Sequence, residues 1–278
     1  MSRLISCTPL YLLLTMFGQT AEEPDAAVEK EQQERLKYMV DQLDAVRIET
    51  TVDKPKILKR MEHPVLRYTN PIRSSAAGGA TFLWLDEQRP LVAASISIRE
   101  NNNVAWEFTS LTNEKLNATR QETAFWTPTK ANRPAELLRD APEPSEKPAL
   151  RLAQLRALAR RFNCAVEKGK WQENRLLPQP LHRWGMPDSA VLDGALFCFT
   201  ETTDPEVLLL IEARRDESTR KYEWYFTIAK MTSPPAKVEL DQQPLWNSGG
   251  GYWRNPRSPQ DSYLEAIIGV YNKDEANR

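Results

Sequence analysis

Alternation of apolar and polar side chains with a period of two is the dominant pattern along this chain. Val104, Trp106 and Phe108 alternate with Ala105, Glu107 and Thr109, and Tyr222, Trp224, Phe226 and Ile228 alternate with Glu223, Tyr225, Thr227 and Ala229. Aromatic and β-branched residues at this period predict strands with one buried face. Val92, Ala94, Ile96 and Ile98 alternate with Ala93, Ser95 and Ser97, whereas 207–211 is apolar at every position. The latter predicts a central strand covered on both sides.

The period becomes helical in two places. Leu152, Leu155, Leu158, Ala159 and Phe162 predict a helix over about 149–163 that covers a sheet face, its arginines largely elsewhere. Val28, Leu36, Met39, Val40, Leu43 and Val46 predict another near 25–48, whose first half is almost wholly charged.

Self-similarity organises the strands. Gly79-Ala80-Thr81-Phe82 matches Gly194-Ala195-Leu196-Phe197, and the same offset of 115 aligns Pro90 with Pro205, Val92 with Val207, Ile96 with Ile211 and Arg99 with Arg214. With loop insertions allowed, Leu66-Arg67-Tyr68 lies against Arg175-Leu176-Leu177, and Asn70-Pro71-Ile72 against Gln179-Pro180-Leu181. Further on, Trp106 matches Trp224 and Trp126 matches Trp246. The expected fold is α+β and mainly antiparallel: two tandem β-meander modules from one duplication, packed as a sandwich or running on as one curved sheet. Strands are expected near 64–73, 79–86, 90–99, 103–112 and 115–126, with a second set over 174–248 and one more from Tyr263 to Tyr271.

The domain boundaries follow. Residues 1–21 form a signal peptide, 22–62 an N-terminal helical segment and 63–127 the first module. Residues 128–148, with Pro128, Pro134, Pro142, Pro144 and Pro148, form a linker, 149–173 a helix and connection, and 174–278 the second module with its C-terminal strand. The leader is read from Arg3, the apolar run 4–17 and the polar exit through Gly18 to Ala21. That run, broken by Ser6, Thr8 and Pro9, falls short of the ~20 residues that span a bilayer. Cys7 precedes the apolar run, which is the wrong order for a lipoprotein signal. The expected location is therefore the periplasm or the outside of the cell, with no stable transmembrane segment after cleavage.

Charge narrows the partners. Lys and Arg number 37 against 38 Asp and Glu, and loss of the leader removes only Arg3 from this balance. A near-neutral chain has no field to steer it toward nucleic acid, so an envelope or extracellular ligand is expected instead. Cys164 and Cys198 remain after cleavage. An exported chain permits a disulfide between them, and Cys198 in a strand equally suits a small buried hydrophobe.

The leader, the 175–180 run Arg-Leu-Leu-Pro-Gln-Pro, Leu192-Asp193-Gly194-Ala195-Leu196-Phe197 and Asp204-Pro205-Glu206-Val207 together resemble a set of uncharacterised secreted proteins of planctomycete-type bacteria. The likeness runs over about 63–248. It implies export and a shared fold, and it carries no catalytic residue with it.

Candidate chemistry is sparse. His63 and His182 lack the His or Cys neighbours of a metal site, so neither a metal nor a cofactor is expected. No serine stands in a Gly-x-Ser-x-Gly elbow. Paired carboxylates could hydrolyse glycosidic bonds, with Asp193 first in line and Asp188 and Glu212 behind it. The ordinary reading of Asp193-Gly194 is a turn. The most distinctive loop is Asn247 to Arg254, where Gly249, Gly250 and Gly251 would admit a ligand to the backbone beside Tyr252, Trp253 and Arg254. A non-enzymatic binding or structural domain leads, and a hydrolase of carbohydrate or envelope material is the alternative.

Overall fold

A computed structural model describes residues 26–51, 54–69, 78–99, 101–185, 190–249 and 258–272. Residues 1–21, expected to be a leader, Asn70-Pro71-Ile72, Asp188 and residues 250–254 of the glycine loop lie outside them. The first half runs α1 (Ala26–Asp44), β1 (Val46–Thr50), β2 (Lys59–Arg60), β3 (Leu66–Thr69), β4 (Gly78–Asp86), β5 (Arg89–Ile98), β6 (Asn103–Ser110), β7 (Leu116–Arg120), β8 (Thr123–Trp126) and β9 (Arg133–Leu137). The second runs α2 (Pro148–Ala159), β10 (Phe162–Glu167), β11 (Trp171–Leu176), β12 (His182–Trp184), β13 (Val191–Glu201), β14 (Asp204–Arg215), β15 (Tyr222–Lys230), β16 (Ala236–Leu240), β17 (Gln243–Asn247) and β18 (Tyr263–Val270). Every named strand pair is antiparallel. Among the described residues, no helix is long and apolar enough to cross a membrane.

In the second half the strands follow one curved path, β17-β16-β10-β11-β13-β14-β15-β9, with β12 added on β13. The first half follows the same path, β8-β7-β1 and then β2-β4-β5-β6-β18, with β3 added on β4. Its break between β1 and β2 is spanned by the Glu49–Ile57 bridge and by the amide of Leu58 donating to Ile48 O at 2.9 Å.

Equivalent positions can be read from the registers. Ala80 faces Ile96 and Ala195 faces Ile211, so β4–β5 and β13–β14 correspond at an offset of 115. Both pairs carry an irregularity at the matching place, Trp84/Leu85 and Phe199/Thr200. Both also turn through a left-handed residue, Glu87 (φ 55°) and Thr202 (φ 53°). The β7–β8 and β16–β17 hairpins correspond at 120, with Gln121 and Glu122 (φ 49° and 64°) matching Asp241 and Gln242 (φ 52° and 64°). Two successive left-handed residues give the type I′ turn that fits the right-handed twist of a hairpin. A non-glycine residue accepts that conformation at about 1–2 kcal/mol, and both halves accept it at the same places.

The registers shift two of the sequence matches. Ile96 faces Trp106 while Ile211 faces Phe226, so the equivalent of Trp106 is Phe226 and not Trp224. Tyr68 faces Gly79 while Trp184 faces Gly194, so Leu66-Arg67-Tyr68 corresponds to His182-Arg183-Trp184 and not to 175–177. The resulting offset of 116 carries back without a gap through β2 and β11 to Arg35 of α1 and Arg151 of α2. Each unit therefore begins at its helix, earlier than residues 63 and 174.

The Gly-Ala-x-Phe match has a physical cause. A Cβ on Gly79 would meet the Tyr68 ring at 2.4 Å, and a Cβ on Gly194 would meet the Trp184 ring at the same distance. Each glycine thus lies under an aromatic ring from the neighbouring strand, where no side chain fits.

The outermost strands are exchanged. β9, within the proline-rich stretch that reads as a linker, pairs with β15 of the second half. β18, expected to complete the second module, pairs with β6 of the first. Each half therefore receives its last strand from the other.

Three apolar clusters follow from this layout. One lies between α1 and the inner face of the first sheet, with Leu43, Phe82, Trp84, Ile96 and Phe108. A second lies between α2 and the second sheet, with Leu155, Phe197, Leu209, Ile211 and Trp224. The third joins the backs of the sheets through Leu83, Ala93, Leu111, Leu196, Leu208, Leu210 and Met231. β14 feeds both of the last two, which is why 207–211 is apolar at every position.

Candidate binding site at the junction of the halves

Because the sheets meet back to back, β5 and β14 present equivalent residues at opposite ends of the junction. At one end β5 begins with Arg89, which donates from Nε to Glu212 Oε1 at 2.6 Å and from Nη2 to Oε2 at 3.2 Å. Arg214 donates from Nε to Glu212 Oε2 at 2.9 Å and from Nη2 to the same oxygen, and its guanidinium lies 5.7 Å from the centre of the Tyr225 ring. Glu212 is 1% exposed. Burial pushes its carboxyl up, but the charges and hydrogen bonds of Arg89 and then Arg214 hold it below the ordinary carboxylate value.

Beside this bridge lies a cavity of ≈ 230 Å³. Arg89 and Arg214 line it with Leu111, Thr112, Asn113 and Glu114 after β6, Thr227 of β15 and Ala135 of β9. The volume is below the range of drug-sized pockets and suits a small molecule or the end group of a longer one. Close by on β12, His182 stacks on Trp184 with ring centres 5.7 Å apart, and its Nε2 lies 2.9 Å from Gln88 O across the junction.

The opposite end is filled. Tyr263 of β18 donates its hydroxyl to Glu107 of β6, and Glu265 of β18 faces Glu107 in the register. Arg99 and the hydroxyl of Ser233 both donate to Glu265. Burial, followed by the charges of Glu265 and Asp204, raises the Glu107 carboxyl to about 8. Nearby, burial raises Glu206 to about 7, although Lys168 donates to it at 2.5 Å.

The residues singled out from sequence are scattered. Asp193, 1% exposed, accepts from Arg151 Nε at 2.7 Å and from Arg183 Nε at 3.0 Å and Nη2 at 2.7 Å. It ties α2 and β12 to β13, and the cavity lining does not include it. Gly249 follows β17 with φ +59° and open space where a Cβ would stand. Its partners Gly250, Gly251, Tyr252, Trp253 and Arg254 lie outside the described residues. Cys164 and Cys198 are both free and buried, one in the α2 cluster and the other in the junction cluster. His63 is exposed. Of the two acids considered that are among the described residues, Asp193 and Glu212, Glu212 belongs to the junction cavity's surroundings. The signal that could have led there is the Arg99–Arg214 match at the offset of 115.

No family model matches the chain, and no curated protein or solved structure matches it either.

Proposed function

We propose that this chain is an exported, non-enzymatic binding domain of the periplasm or cell exterior, built by duplication of one helix-and-strand module. It takes a ligand of the envelope or its surroundings in the cavity between the halves. The observation that carries this reading is the cavity itself. It lies where two sheets and an exchanged strand meet, a rigid setting for polar groups that fix a ligand. The carboxylates near it favour binding over hydrolysis. Glu212 is held charged between two arginines and so is not set to donate a proton to a leaving group, and Asp193 lies outside the cavity lining. The duplicated registers, the apolar leader and the likeness to secreted planctomycete-type proteins support the rest.

A glycan array probed with the mature chain, read beside an assay for released reducing ends, tests this directly. Binding without release is expected, and it should weaken in an Arg214→Gln variant. Release of reducing ends would give the reading over to a hydrolase.

A further inference from the structure

The two halves supply a comparison that a single binding site lacks, because the filled end shows what the same backbone holds when it is occupied. At the offset of 115, Arg214 corresponds to Arg99 and Arg89 to Asp204. At 120, Asn113 corresponds to Ser233 and Thr227 to Glu107. For the exchanged strands, Glu136 faces Phe226 as Ala266 faces Trp106, and Arg133 faces Ile228 as Leu264 faces Phe108, so the bulge of Pro134 and Ala135 stands where the other half has Glu265, and of the two Ala135 lines the cavity. At the filled end, Arg99 and Ser233 hold the Glu265 carboxylate. At the open end, their counterparts Arg214 and Asn113 line a cavity, and the bulge that replaces Glu265 brings only the methyl group of Ala135 to its lining.

We infer that the junction cavity is a receptor for a small carboxylic acid, whose carboxylate binds Arg214 and Asn113 in the place that Glu265 occupies at the other end. The inference rests on the binding reading above and specifies its ligand class. Glu212 engages only the Nε and Nη2 side of each guanidinium, and the five donors of an arginine accommodate a second carboxylate at Nη1. Charge allows it as well. Arg89 and Arg214 balance Glu212 and Glu114 at the open end, so one added carboxylate leaves only a single net negative charge there. Thr227 and Thr112 line the remaining space and offer hydroxyls to a polar body attached to the acid.

The test is a titration of the isotope-labelled mature chain with sodium glucuronate, and separately with glucose, followed by amide and arginine Nε resonances. Glucuronate should shift Asn113, Ala135, Thr227 and Arg214 saturably, and glucose should bind at least tenfold more weakly. Ala135→Glu, which places the missing side chain in the cavity, should abolish the glucuronate shifts. Arg214→Gln should weaken binding more than tenfold, and it serves alone if Ala135→Glu does not fold. Equal binding of glucose and glucuronate in the cavity would overturn the acid while leaving the binding reading in place. Glucuronate shifts that survive both variants would overturn it too. So would an absence of shifts with glucuronate, lactate, benzoate and acetate, and the glycan array would then decide the broader reading separately.

Discussion

The two ends of the junction have equivalent backbones and opposite contents. β18 brings Tyr263 and Glu265 to one end, where they close against Glu107, Arg99 and Ser233. β9 brings Ala135 to the other, and a cavity remains beside the Arg89–Glu212–Arg214 bridge. At the filled end two carboxyl groups face each other across paired strands, and burial with the charge of its neighbour pushes that of Glu107 toward neutrality. The open end is held by full charges, since each arginine has the same buried carboxylate as its counter-ion. One fold thus carries a seal and a cavity at related places, and the electrostatics differ in kind.

The largest effect is expected at the open end. Glu212→Ala leaves Arg89 and Arg214 without their shared counter-ion and should cost about 3–5 kcal/mol, the range for breaking a buried ion pair from one side. Urea unfolding with an unchanged slope would measure it. Glu265→Ala, whose side chain is 15% exposed, should cost less, about 1–3 kcal/mol for the bonds it strands. A reversed order would break the contrast between the ends.

Next comes pH. Burial and the facing Glu265 raise Glu107 to about 8, so the folded chain keeps a proton that the unfolded chain releases above about 4.5. Stability should therefore decline as pH rises from about 4.5 to about 8, with Glu206, raised to about 7, contributing in the same direction. Glu107→Gln should remove part of that decline. Thermal midpoints at pH 5 and pH 8 would show it as a smaller difference than in the parent chain, and an undiminished difference would refute the assignment.

Tyr263→Phe removes one hydroxyl donor and should cost about 0.5–1.5 kcal/mol. Smallest of all, Ile267→Ser, at a position 50% exposed on the outer strand, should stay within about 0.5 kcal/mol. Denaturant midpoints of the two variants suffice to rank them.

Much of the fold was legible because its causes are local. Period-two alternation marked β6 and β15, the apolar run 207–211 marked a strand buried on both faces, and the helical spacing of Leu152, Leu155 and Leu158 marked α2, but Phe162 and Val46, counted with the two helices because they too are buried, open the strands β10 and β1 instead. Gly79 and Gly194 stand out as a match because each lies beneath an aromatic ring that forbids any side chain. Matching Trp106 with Trp224 failed because residue identity favoured too short an insertion in the second β-hairpin. The register shows a longer turn there, and Phe226 takes the equivalent place. The strand exchange was hidden because periodicity says that 263–270 is a strand and nothing about which sheet edge it joins. The candidate site was hidden for the same reason: Arg89 and Glu212 meet from opposite halves, at no spacing a local motif records.

The exchange of outer strands generates both ends of the junction, and disulfide trapping tests it most directly. Residues directly opposite on antiparallel strands lie within the Cα separation a disulfide accepts. In the register Ile267 faces Ala105, whereas Tyr225 is the equivalent of Ala105 in the second half. The native Cys164 and Cys198 do not interfere, since burial raises both thiols and keeps them unreactive. A chain carrying Ile267→Cys and Ala105→Cys should form the bridge on mild oxidation, and one carrying Ile267→Cys and Tyr225→Cys should not. A bridge from 267 to 225, with none to 105, would place the last strand in its own half and contradict the account.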